Sequence, residues 1–343
     1  MNETLAQYAN LAVYSAMAVL TLAMLAYAAF LAWLVPARTD AKAAVAEREL
    51  VAVGAASADP AEATPVVEDP VGEDPAGALP ATAPTGAAAY PGEEPARARS
   101  AAGIARSLAV LGTLVLVAAA VMRGLSVHRA PLGNMYEFAI VGSMFTMLVY
   151  LAWSSRRDLR WLGVFVVAFV LLTLGMGTTV WYTEAAQLMP SLQSYWLLIH
   201  VTVATISVAL FAVGFALTAL YLARSRFAGT GRARFLERMP EAKALERMSY
   251  GIHVIAFPLW TFTVIAGAIW ARQAWGSYWN WDPKEVWSFI IWVVYAAYLH
   301  ARATAGWRRQ GAAWIAVAGF ACIIMNYAIV NMYFVGQHSY SGL

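Results

Sequence analysis

The chain has 343 residues, 61% hydrophobic and 13% charged, with a mean hydropathy of +0.59. That is too little charge to cover a water-soluble domain of this length, and the one cysteine, Cys322, excludes an internal disulfide or a paired-cysteine redox site. The formal net charge of +3 calls for no nucleic-acid partner.

Apolar runs of about 20 residues, enough to cross a hydrocarbon core of roughly 30 Å as a helix, recur eight times. The first, about 9–35, lacks a basic start and is too long for a cleavable leader. Residues 36–104 are rich in Ala, Pro, Asp and Glu with little apolar periodicity, and read as a disordered linker. The other spans fall at about 104–123, 135–153, 160–181, 194–223, 250–271, 286–302 and 313–335. Cys322 lies in the last of these, as packing. The expected fold is an all-α polytopic membrane protein of about eight transmembrane helices. With both termini on the outer side, nineteen Lys and Arg fall on the inner side, and Arg123, Arg129, Arg272 and Lys284 on the outer.

That topology places WGSYWNWDPKEVW (275–287) outside, between the sixth and seventh spans. An interfacial aromatic belt accounts for one or two tryptophans at a helix end. It accounts poorly for Trp275, Trp279, Trp281 and Trp287 beside Asp282, Lys284 and Glu285. Pro283 suits the first turn of the seventh helix, with Asp282 near its N-cap.

The same topology sorts the histidines by depth. His128 sits in the first outer loop as an interface residue. His200 lies about six residues into the fifth span, roughly 9 Å deep, and His338 follows the last span, outside. His300 lies about 20 Å inward of Trp287. His253, on the preceding helix, shares that depth and is a further ligand candidate. A rigid aromatic shelf flanked by two histidines suits a flat, apolar ligand with a central metal, such as bis-imidazole haem. Arg272 and Lys284 bracket the shelf, either to meet haem propionates or to snorkel at the interface.

WGSYWNWDPKEVWSFIIWVVYAAYLHAR (275–302) resembles the WWD signature of the CcsA (ResC) family of System II cytochrome c biogenesis. PLGNMYEF (131–138), PSLQSYWLLIHV (190–201), FPLWTFTVIAGAIWA (257–271) and GQHSYSG (336–342) agree in the family's order, so the resemblance covers about 105–343, a seven-helix core. The resemblance implies that His200 and His338 are the external axial ligands of haem iron, and that His300 is the intramembrane haem histidine. It implies that Trp275, Trp279, Trp281, Asp282 and Trp287 form the haem-holding surface. It further implies a bacterial plasma-membrane protein, active on its extracytoplasmic face and working with a ResB-like membrane partner. Such a protein exports haem b and joins its vinyl groups as thioethers to the CxxCH of apocytochrome c, as a holocytochrome c synthase component. Two alternatives stand beside this: a haem delivery protein without ligase activity, and a b-type electron-transfer cytochrome.

Overall fold

The computed structural model describes residues 2–56, 94–188, 192–227, 236 and 239–338. Its helices, in chain order, are α1 (Glu3–Ala56), α2 (Ala96–Val127), α3 (Met135–Ser154), α4 (Gly163–Thr179), α5 (Tyr195–Phe227), α6 (Ala242–Trp275), α7 (Pro283–Ala303) and α8 (Arg309–Ile324). A 3-10 turn, Arg160–Leu162, leads into α4, and α8 runs on through a π-helical stretch, Met325–Val330, to a last turn, Asn331–Tyr333. Among the described residues there is no strand, and eight helices are long and apolar enough to cross a membrane. The chain is a multi-pass, all-α membrane protein.

The margins of the proposed linker need correction. The α1 backbone stays helical to Ala56, and α2 starts at Ala96, eight residues before the expected second span. Residues 39–56 are rich in alanine and free of proline, a composition that favours helix. Averaging them with the proline-rich remainder hid this. Residues 57–93 lie outside the described residues.

Helices α1 and α2 pair along a seam of small side chains. Ala98, Ala102, Ala105, Ala109 and Ala119 are all buried there, with Ala9, Ala16, Leu20 and Ala23 opposite. Small residues let backbones approach closely, and in lipid such packing takes over from the hydrophobic effect.

The short connections gather at two ends. One end, the tryptophan end, holds the start of α1 and residues 128–134, 180–188, 192–194, 276–282 and 334–338. Its loops are tied down by one buried carboxylate. Glu137 meets Arg123 Nε at 3.1 Å and Arg129 at 2.7 Å, and accepts from Gly133 N at 2.8 Å. Arg123 then donates to Thr183 O, and Arg129 to Ala186 O at 2.8 Å. The pair of guanidiniums therefore fastens loop 180–188 to loop 128–134. At the opposite end Glu246 pairs with Arg302 and with Arg309, linking α6, α7 and α8.

Arg123 and Glu137 are essentially inaccessible. Breaking such a group by removing one partner leaves uncompensated charge, at a cost of about 3–5 kcal/mol. Glu137→Gln is expected to lower the thermal midpoint of the detergent-solubilised protein accordingly. It should also speed proteolysis in 180–188. Substituting the exposed Arg272 should leave both unchanged.

Candidate functional site

The turn between α6 and α7 is over-determined by hydrogen bonds. Helix α6 stops at Gly276, whose left-handed backbone (φ 80°) lets its N–H bond Arg272 O at 3.1 Å. Asp282 caps α7 by accepting from Lys284 N at 3.2 Å, with Pro283 in the first turn. Glu285 Oε2 reaches back to accept from Asp282 N at 3.1 Å and Asn280 N at 2.8 Å. Between those two amides Trp281 adopts φ 58°, a left-handed conformation that costs a bulky residue about 1–2 kcal/mol. The two bonds to Glu285 hold it there, and its indole is 77% exposed.

Asp282 has a second task. Its carboxylate accepts from Gln337 N at 2.6 Å and from His338 Nδ1 at 2.8 Å, which fastens the chain beyond α8 to the start of α7. Gly336 makes this possible, because a Cβ there would collide with the Asp282 carboxylate and lie 3.2 Å from Pro283 Cδ. Burial pulls the Asp282 carboxyl upward. The bonds from His338 and from the Gln337 and Lys284 amides outweigh that and hold it below the usual carboxylate range.

His338 lies against Trp275 (ring centroids 4.7 Å, 74°) and Trp270 (5.6 Å, 67°). His200, in the second turn of α5, stacks on the same Trp270 at 6.1 Å and 12°. Its Nδ1 lies 2.9 Å from Thr263 O, and its ring rests over Gly267, where a Cβ would come within 2.7 Å of Cε1. Carbonyl and carboxylate oxygens only accept, so Nδ1 carries the proton in both rings. A neutral imidazole of that tautomer has its lone pair on Nε2, the arrangement of a metal-binding histidine oriented by a neighbouring oxygen.

Both histidines line one cavity of about 470 Å³ enclosed by α3–α8, a volume usual for small-molecule sites. Its wall is mostly apolar, with Trp181, Trp260, Trp270 and Trp279 among the aromatics. Its cation is Lys284, whose Nζ donates to Asn326 O at 2.8 Å in the π-helical stretch. Four buried polar atoms on lining residues have no partner: Trp270 Nε1, Glu285 Oε1, Asn326 Oδ1 and Ser143 Oγ. Buried polar atoms are rarely left so; the other three among the described residues, on Arg123, His253 and Tyr295, lie off this wall.

The other candidate residues divide. Trp279 and Lys284 line the cavity, while Trp275 backs His338 and Trp270 without lining it. Trp281 and Trp287 stay outside its wall. Arg272 is not beside Lys284 in the cavity; it is exposed and folds back to donate to Gly276 O at 2.5 Å. His300 is exposed on α7, nine positions past Ile291, the last α7 residue of the wall. His253 is fully buried against Tyr298 (4.9 Å), Tyr295 (5.4 Å) and Phe211 (5.9 Å) and lines no part of the cavity. Asn326 and the α6 face of Thr263, Gly267 and Trp270 were not read from the chain. Spacing of i, i+4 and i+7 puts those three on one side of a helix, which is the signal that could have found them.

Asp282→Ala is expected to release the segment 336–338, together with about 1 kcal/mol of capping. Gly336→Ala should release the same segment with the cap intact. Hydrogen exchange at the Gln337 amide reads both. Because the folded-state carboxyl titrates below its unfolded value near 3.9, the tether contributes above that pH. Protection at Gln337 should therefore survive acidification through the ordinary carboxylate range and fail only below it.

Comparisons with known proteins show the family and the fold. The family model described as cytochrome C assembly protein matches residues 132–338, from the loop before α3 to His338. The chain is 34% identical over 272 residues to the cytochrome c biogenesis protein CcsA of Synechococcus sp. (strain CC9902), covering 69% of this chain and 86% of that one. It is 35% identical over 246 residues to CcsA of Chlamydomonas reinhardtii, covering 69% and 68%. Among solved structures it resembles cytochrome c heme lyase CcmF, with a TM-score of 0.59 at 17% identity. That match covers 95% of this chain and 47% of CcmF, so the chain spans about half of CcmF's length, and the likeness is one of fold. The chain belongs to the cytochrome c assembly protein family.

Proposed function

We propose that the cavity holds haem b at the extracytoplasmic face of the plasma membrane, and that His200 and His338 ligate its iron through Nε2. The observation that carries this reading is the matched pair of imidazoles. They come from α5 and from the chain beyond α8, share Trp270 as a neighbour, and have Nδ1 fixed by Thr263 O and by Asp282. Lys284 is the cation for one propionate, and the unpartnered Trp270 Nε1 is a donor at the same wall. Arg272 takes the snorkelling role, with its guanidinium turned back onto the α6 cap.

The chemistry assigned to the loaded protein is covalent attachment to CxxCH of apocytochrome c. Each thioether forms one S–C bond to a vinyl carbon, and the thiol proton passes to the other vinyl carbon, so the addition is redox-neutral. What this chain contributes is position: it holds the haem while the peptide thiols approach, which converts a diffusive encounter into a local one. Trp279 lies in the cavity wall, and the exposed Tyr278 beside it offers the peptide a landing surface at the rim. A ResB-like membrane protein completes the system. His300, exposed on α7 toward the opposite end, is where that partner adds a second ligand for haem in transit.

The test is an absorption spectrum of the chain co-purified with its partner. Wild type should show a reduced bis-histidine spectrum. His200→Gly and His338→Gly should each lose it and regain it with added imidazole. Lys284→Ala should lower haem occupancy severalfold, and Arg272→Ala should leave it unchanged. A spectrum indifferent to both histidine variants refutes the reading. If haem is bound but chain and partner together yield no thioether-linked cytochrome, the protein is a delivery module and not a synthase.

A further inference from the structure

The cavity is deeper than an outer-face site needs. It descends from Trp270 and the two histidines to Thr146 on α3, Phe169 on α4 and Phe320 on α8. Thr146 lies eleven residues into its helix, about 16 Å along the axis, which is half of a hydrocarbon core of roughly 30 Å.

Its wall is not equally closed on all sides. Along the α6–α7 seam, Trp260 Nε1 donates to Ser288 O at 3.2 Å and Trp292 Nε1 to Thr261 Oγ1 at 3.0 Å. Across the α4–α8 seam, among the described residues, no hydrogen bond passes, and Phe169 meets Phe320 with ring centroids 5.9 Å apart. Nearer the tryptophan end the seam closes again. There Trp181, just past α4, packs on Tyr327 at 5.0 Å and donates to Met332 Sδ at 3.4 Å. Between the two closures stand Leu172 and Met176 of α4 and Ile324 of α8. All three line the cavity, and they are 71%, 44% and 50% exposed. Lining side chains this accessible show that the wall is not closed over at this seam. It sits at hydrocarbon depth, and none of these three carries a polar group. Thr173, between them on α4, spends its hydroxyl on Phe169 O at 3.0 Å.

We infer that the α4–α8 seam is a lateral mouth through which the cavity is loaded with haem directly from the bilayer. The inference rests on the haem reading of the cavity. A macrocycle dissolved in lipid meets only apolar side chains at this mouth, slides in edge-on, and finds its cation, Lys284, only inside. The cavity does not itself extend to His300: its wall ends on α7 at Ile291, about 13 Å short of His300 along the helix. On this inference haem at His300 reaches the outer histidines by way of the lipid-facing surface.

The test uses the full chain with its partner in proteoliposomes whose bilayer is preloaded with haem, following growth of the bis-histidine spectrum. Leu172→Trp combined with Ile324→Trp should slow loading at least tenfold. Leu114→Trp, an equally lipid-facing change on α2 away from the cavity, should load at the wild-type rate. Leu172→Ala with Ile324→Ala should load faster, and decides the matter if the tryptophan pair does not fold. Wild-type rates in both paired variants overturn the lateral mouth and leave the haem site standing. No haem spectrum in wild type at any time overturns the haem reading itself.

Discussion

One carboxylate organises the tryptophan end. Asp282 caps α7, receives the Gln337 amide and holds the His338 imidazole, and so joins segments more than fifty residues apart in the chain. Its position at a helix N-terminus favours its negative charge, which makes it a stronger acceptor for the imidazole N–H. A tail of a few residues has no packing of its own with which to aim a side chain. Removing the acceptor removes the orientation, and with it the pairing of His338 with His200 across Trp270.

Around this point the molecule buries polar groups that a membrane interior penalises, and it satisfies them in sets. Glu137 answers two guanidiniums and an amide, and Glu246 answers two guanidiniums at the other end. Lys284 is treated differently. Its hydrogen bond goes to a neutral carbonyl, Asn326 O, in the π-helical stretch. A cation buried with a neutral acceptor keeps capacity for an anion. Four of the seven buried polar atoms without a partner among the described residues belong to residues of the cavity wall.

The contrast between seams gives the architecture a direction of access. Where α6 meets α7, indole N–H groups cross the interface and fix it. Where α4 meets α8, aromatic contacts at two heights leave an apolar gap between them. Apolar contacts between helices in lipid gain little over contacts with the lipid itself, so such a seam opens at small cost. His253 shows what a closed site looks like in the same bundle: its Nδ1 is tied to Ser249 O like the other two histidines, but rings surround it and no space adjoins Nε2.

Hydropathy and charge bias alone determined eight helical spans and their alternation, because the cost of exposing backbone or charge to lipid depends on local composition. The cap at Asp282 was legible for the same reason, since it uses a bond within a few residues. The quoted motifs also singled out His200, His338 and Asp282. What only the tertiary structure decided is which of these residues share a space. Trp270 touches both imidazoles, Lys284 faces the cavity while Arg272 turns away from it, and His300 lies on the outside of α7. Those facts depend on how helices rotate about their axes and on which pairs pack. That is settled by contacts between segments far apart in the chain, such as the bond from Asp282 to His338.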